Sequence, residues 1–132
     1  MVKLVSELTV FLENRPGMLL ELTEFLGKNG INILGIGLSE GGKDFGVCRL
    51  VVDKPARAVP LLGSTTLMVL EQKVLALRLP SKPGTLGVVC RALARGRINI
   101  EYAYGSCSPK GANTLYMRVS DEQRAVKILK KL

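Results

Sequence analysis

The 132-residue sequence predicts an α+β fold of two tandem β-α-β-β-α-β units with antiparallel sheets, the second lacking its last strand. Three observations carry that expectation: a repeat of period 67, alternating apolar residues that open each copy, and a Pro-Gly turn ahead of each helical stretch. Pro16-Gly17 falls on Pro83-Gly84, and Ile31-Asn32-Ile33 falls on Ile98-Asn99-Ile100. Leu19 and Leu86, Leu26 and Leu93, Val52 and Val119, then Arg57-Ala58-Val59 and Arg124-Ala125-Val126 keep the offset without a gap. One supersecondary pattern is therefore written twice, in residues 1–71 and 72–132.

Leu8, Val10 and Leu12 alternate with Thr9, Phe11 and Glu13, the two-residue period of a strand with one buried face, and Leu75, Leu77 and Leu79 repeat it. Asn14-Arg15-Pro16-Gly17 and Ser81-Lys82-Pro83-Gly84 are turns whose proline suits the first position of a helix. Leu19, Leu22 and Leu26 then carry helical spacing, echoed by Leu86, Val89 and Leu93, with Gly30 and Gly96 placed to stop the helices. Ile31 to Leu38 and Phe45 to Val52 are β-rich runs joined by Glu40-Gly41-Gly42-Lys43, a hairpin. Their counterparts are Ile98 to Tyr104 and Asn113 to Val119. A short helix follows Asp53-Lys54-Pro55 and is expected to end at Pro60; its counterpart starts at Ser120, where Ser-x-x-Gln123 fits a capping box. Thr65 to Leu70 is the fourth strand of the first copy, and no such run follows the last helix of the second. Each copy is the split βαβ, ferredoxin-like arrangement, in which the first strand lies beside the fourth. Without a fourth strand, Val74 to Leu79 should form an open apolar edge that pairs either with the other copy or with a second chain, and an oligomer, most simply a homodimer, is expected.

Composition narrows the function. Residues are 47% apolar and 23% charged, ordinary for a globular protein, and no apolar run reaches the roughly 18 residues of a membrane span. The amino terminus lacks signal-peptide character, which makes a cytoplasmic location the expectation. Cys48, Cys90 and Cys107 lie far apart, form no C-x-x-C pair and read as reduced thiols, so no metal site is indicated. Histidine is absent, which removes the commonest general base and metal ligand. Neither catalysis nor a cofactor is expected. The net charge of +8 is spread out, apart from Arg91, Arg95 and Arg97 near one helix end and Lys127, Lys130 and Lys131 at the carboxy terminus, and reads as solvated helix surface.

The best candidate site is the first strand-to-helix loop, Glu13-Asn14-Arg15-Pro16-Gly17, because a helix amino terminus offers unpaired N–H groups and a positive dipole end to a carboxylate. Gly17 permits close backbone approach, Asn14 offers a donor and an acceptor, and Arg15 adds charge. Asn32, opening the next strand, is a second amide expected within reach. Leu12, Met18 and Leu19 flank the loop. In the second copy Ser81, Gly84 and Asn99 take the corresponding places. The plain alternative is that these residues are turn formers. Gly35 and Gly37 imply a bulge or a close neighbour in their strand, where the second copy has Tyr102 and Tyr104.

Two copies of strand, x-Pro-Gly-x-Leu, helix and Ile-Asn-Ile strand resemble tandem ACT domains, regulatory modules that bind amino acids. Leu12-Glu13-Asn14-Arg15-Pro16-Gly17-Met18-Leu19 is especially similar to the ACT module of serine-regulated phosphoglycerate dehydrogenases. That resemblance implies a site between modules, using Asn14 and Asn32; the family's serine-binding pattern has a histidine where Leu12 stands, which leaves the ligand open. Phe45-Gly46-Val47 together with Ile100-Glu101-Tyr102-Ala103-Tyr104 resembles the free-standing double-ACT proteins, which implies an amino-acid sensor serving an unidentified metabolic enzyme.

An RNA-binding module of the RRM kind has the same element order and is the main rival. Val10 to Asn14 resembles its first strand and Lys43 to Leu50 its octamer, with Phe11, Phe45 and Arg49 expected on the helix-free face. Val47 stands where a second aromatic is wanted, and the second copy has Arg78, Ala112 and Thr114 at the matching places, so nucleic acid is not the expected partner.

Overall fold

The structure, a computed structural model, describes residues 1–106 and 113–132. Cys107 and Ala112 lie outside the described residues. The elements run β1 (Val2–Glu13), α1 (Met18–Lys28), β2 (Ile33–Glu40), β3 (Phe45–Val52), α2 (Pro55–Gly63), β4 (Met68–Leu79), α3 (Thr85–Arg95), β5 (Ile100–Ser106), β6 (Asn113–Val119) and α4 (Glu122–Leu129). They form two compact units, Ser6–Gln72, and Met1–Val5 together with Lys73–Leu132. No helix among the described residues is long and apolar enough to cross a membrane.

In the unit Ser6–Gln72 the strand order is β2-β3-β1-β4. Antiparallel register pairs Leu8 with Leu50, Val10 with Cys48 and Leu12 with Gly46, so the alternation seen in the sequence puts these side chains on one face. Met18, Leu22 and Leu26 of α1 and Ala58 and Leu62 of α2 cover that face and close the core. Thr9, Phe11, Arg49 and Val47 pair on the opposite, helix-free face. The second unit repeats the plan with Leu75, Leu77, Met117 and Val119 from β4 and β6 under Val89 and Leu93 of α3 and Ala125 and Leu129 of α4. Leu86, expected on the buried stripe of α3, is 46% exposed.

Beside β4 in the second unit, the place of a closing strand is taken by the chain's first residues. Arg78 N donates to Met1 O at 3.0 Å, and the Met1 amino terminus donates to Arg78 O at 3.4 Å. Such a reciprocal exchange marks a hydrogen-bonded pair in an antiparallel ladder. Val2 is buried in the same cluster as Leu75 and Leu77, with Leu4 packed against it. The edge of β4 is therefore covered by Met1–Val5, the first of the two pairings expected for it, which leaves that edge closed to a second chain.

Several local expectations are also corrected. Thr65 to Leu70 is not a separate strand: Thr65 Oγ1 donates to Leu62 O at 2.6 Å at the end of α2, and β4 runs unbroken through Leu79. Pro16 and Pro83 precede their helices, whose N-caps are Gly17 (φ 90°) and Gly84 (φ 87°). Pro60 does not stop α2; it forfeits one backbone bond, while buried Ala58 and Leu62 hold the helix on either side. Ser120 is not a helix cap: its hydroxyl accepts from Asn99 N (2.9 Å), and Asp121 caps α4 by accepting from Arg124 N. Gly30 takes the left-handed turn after α1 (φ 73°), but in the second unit Arg97 takes it (φ 56°), not Gly96. A Cβ at Gly96 would lie 2.5 Å from Ile128 Cδ1, the far end of a flexible side chain.

Candidate functional site

The loop after β1 is tied down from both sides. Asn14 N donates to Asp44 O (3.0 Å) and Asn14 Nδ2 to Lys43 O (3.4 Å), which anchors the loop to the β2–β3 turn. Arg15 Nε donates to Glu13 Oε2 at 3.0 Å, an exposed ion pair of small energetic weight. Gly17 then turns the chain into α1 with a positive φ that only glycine adopts readily, and it has no side chain to cap the helix. The first bond of the helix runs from Glu21 N to Gly17 O, so the amides of Met18, Leu19 and Leu20 precede it, at the positive end of the helix dipole.

The same three residues line a cavity of about 370 Å³ between the loop, the start of α1 and the end of β2. Of the residues expected at a site, Leu12, Asn14, Arg15, Gly17, Met18 and Leu19 line it; Pro16 does not. Glu13 of the same loop lines it too, and Leu20, Leu38, Ser39, Glu40 and Gly46, which were not anticipated, complete the lining. Leu20 could have been noticed as an apolar residue off the Met18-Leu22-Leu26 stripe: it is 60% exposed. Glu40 has no ion pair among the described residues, so its carboxylate is free to receive a cation. A neighbouring cavity of about 500 Å³ shares Leu12, Glu13, Arg15 and Met18 but is otherwise walled by Glu21, Leu22, Phe25 and residues 65–68, away from Asn14 and Gly17.

Asn32 is not brought to this cavity. Its N–H donates to Asp53 Oδ1 (2.9 Å) and its carbonyl accepts from Asp53 N (3.0 Å) at the start of β2. The eight residues of β2 separate that point from Glu40, about 25 Å at the usual strand rise. Within one unit Asn14 and Asn32 therefore stand at opposite ends, which corrects the expectation that the two amides lie within reach.

The second unit has a cavity of about 550 Å³ at the corresponding place, lined by Ser81 and Gly84 but not by Asn99, which pairs with Ser120 as Asn32 does with Asp53. Its chemistry differs. Lys82 replaces Arg15, Pro80 replaces Glu13, and the places of Leu20 and Leu38 are taken by Gly87 and Gly105. The Thr85 amide is already used, donating to Lys82 O at 3.2 Å. Asn113, buried at 6% exposure, stands where the first cavity has Gly46.

On the helix-free face Phe11 and Phe45 pack on one another, with ring centroids 6.0 Å apart and planes inclined at 56°. Gly35 and Gly37 lie opposite Val51 and Arg49, with a bulge between Ile33 and Gly35. In the second unit Tyr104 packs on Tyr116 at 5.6 Å. Burial pushes the Cys48 thiol up to about 11. Among the described residues no cluster of three or more His, Cys, Asp or Glu could hold a metal ion.

Comparison with known proteins accords with this architecture. The chain is similar to protein BT0572 from Bacteroides thetaiotaomicron, with 30% identity, 98% of this chain and 89% of that one covered, and a TM-score of 0.91. Its fold is also that of the regulatory subunit of aspartate kinase from Thermus thermophilus in its ligand-free form, at 14% identity, 99% and 96% coverage and a TM-score of 0.68. The corresponding subunit from Thermus flavus aligns at 15% identity, 99% and 94% coverage and a TM-score of 0.60. No curated protein matches in sequence. The family model described as an ACT domain pair matches residues 3–132, nearly the whole length, and the chain belongs to that family.

Proposed function

We propose that this protein is a non-catalytic regulatory protein of the cytoplasm that binds an amino acid at the loop after β1, in a site shared between two copies of the chain. The observation that carries the reading is the 370 Å³ cavity, whose lining brings the residues of the uncapped start of α1 together with Asn14 and Glu40. A zwitterion needs such a pair of surfaces, donors for its carboxylate and acceptors for its ammonium. Membership of the ACT pair family and the fold shared with subunits named as regulatory support the same reading, as they do association with a metabolic enzyme.

The dimer is supported by a different edge from the one expected. β2 ends the strand order of its unit, and Leu34, Ile36 and Leu38 on it are 55%, 43% and 51% exposed. The equivalent positions of β5 are Glu101, Ala103 and Gly105, so only the first copy carries an apolar edge. Antiparallel pairing of β2 with β2 of a second copy about Ile36 would set Leu34 beside the other Leu38 and Asn32 beside the other Glu40. The amide missing from the cavity would then arrive from the partner. The helix-free face gives less support to RNA binding, because Phe11 and Phe45 spend part of their ring surface on each other.

Mixed dimers test this. Asn14→Ala and Asn32→Ala should each weaken amino-acid binding about tenfold, and mixing the two variants should restore one intact site in every heterodimer, read as half-stoichiometric binding by calorimetry. Normal binding by both single variants, or no recovery on mixing, refutes the shared site.

A further inference from the structure

We infer that the amino acid taken at this site has an uncharged aliphatic side chain, and that Leu20 and Leu38 select it. The inference rests on the amino-acid reading above and narrows it. Leu12 and Met18 form a floor that is 3% and 8% exposed, while Leu20 of α1 and Leu38 of β2 stand at the rim, more than half exposed. Apolar carbon left open on both sides of one groove gains free energy when an apolar group fills it.

The polar groups sit elsewhere in the lining. The amides of Met18 to Leu20 favour a carboxylate, and Glu40 favours an ammonium. With the zwitterionic head held there, the side chain is left to the leucines. An anionic side chain would meet the Glu40 carboxylate, with Arg15, the one cation in the lining among the described residues, already paired to Glu13, and a hydroxyl would gain nothing from the leucines that it does not have in water. The second unit provides an internal contrast: at the same places it has Gly87 and Gly105, and no carboxylate lines its cavity among the described residues. Selection of an aliphatic group is therefore a property of the first unit.

Calorimetric titration of the full chain with L-leucine, L-isoleucine, L-methionine, L-alanine, L-serine and L-aspartate tests the inference, run on the unaltered protein and on Leu20→Ala and Leu38→Thr. Both positions are more than half exposed in the single chain, so the variants should fold, which circular dichroism checks; because Leu38 also lies on the strand proposed to pair, analytical ultracentrifugation checks that Leu38→Thr keeps the dimer. At least one of leucine, isoleucine and methionine should bind about tenfold or more tightly than alanine and serine, with each variant losing most of that preference. Serine or aspartate binding as tightly as the aliphatic series overturns the inference while leaving the amino-acid reading standing. Leucine binding that neither variant weakens also overturns it. Absence of binding by all six, and by L-valine, overturns the inference; the amino-acid reading falls only when the other common L-amino acids, titrated in the same way, also fail to bind.

Discussion

Replacing Val2 by alanine tests whether the first five residues are structural. Chain termini are ordinarily the least ordered part of a domain, and truncating a side chain on a frayed end costs nothing measurable. Here Val2 is 8% exposed and packs with Leu75 and Leu77 in the core of the second unit. Val→Ala removes the equivalent of two methylene groups, about 1.6 kcal/mol of transfer free energy, and the space left behind raises the cost to about 2 kcal/mol. Urea unfolding followed by circular dichroism reads it; with a slope of about 2 kcal/mol per molar, the midpoint should fall by about 1 M. Lys3→Ala, at an exposed position, is the control and should leave the midpoint in place. Hydrogen exchange adds a second reading, because the Arg78 amide that donates to Met1 O should be protected and should lose protection in a chain lacking residues 1–5. A midpoint shift under 0.2 M in Val2→Ala, with a rapidly exchanging Arg78 amide, would refute the assignment of this segment to the sheet.

Three further outcomes follow from single positions. Gly96→Ala should change stability by less than about 1 kcal/mol, because the atom its Cβ would meet, Ile128 Cδ1, is the far end of a flexible side chain that can turn aside; thermal unfolding checks it, and a loss of about 2 kcal/mol or more would contradict it. Arg97→Gly should stabilise by about 0.5–1 kcal/mol in the same assay, since relief of the left-handed conformation at φ 56° exceeds the entropy that glycine adds to the unfolded chain. For Cys48 the folded-state value of about 11 exceeds the ordinary 9, so its contribution is complete below pH 9. Above that the unfolded chain ionises first, and stability should decline as pH rises from about 9 to about 11; a Cys48→Ala variant should show a shallower decline over that window.

The repeat was legible because both copies bury the same positions, and Leu8, Val10 and Leu12 against Leu75, Leu77 and Leu79 need only a period of two to be read. The covering strand of the second copy was harder to see because it is written ahead of the first copy. A signal for it does exist: at the same offset Met1-Val2 falls on Met68-Val69, and Val69 packs against the first core as Val2 packs into the second. The helix stops misled for a related reason. Gly96 lies one residue short of the place equivalent to Gly30, and the left-handed turn falls on Arg97 instead.

At the site, turn chemistry made Asn14 and Gly17 visible, and the cavity includes both. Leu38 and Glu40 were out of view because they reach the loop only through the pairing of β2 with β3. Asn32 was misplaced because adjacency of elements in sequence was taken for adjacency in space, whereas β2 starts at the end of the unit remote from the loop.

The most direct test of amino-acid binding at this loop is a titration of the nitrogen-15-labelled protein with each common L-amino acid, followed by amide shifts. For the amino acid that binds, the largest changes should fall on the amides of Met18, Leu19 and Leu20 and on Leu38 to Glu40. Shifts confined to Thr85–Gly87, or no shifts with any amino acid at millimolar concentration, would contradict the placement of the ligand in the first unit.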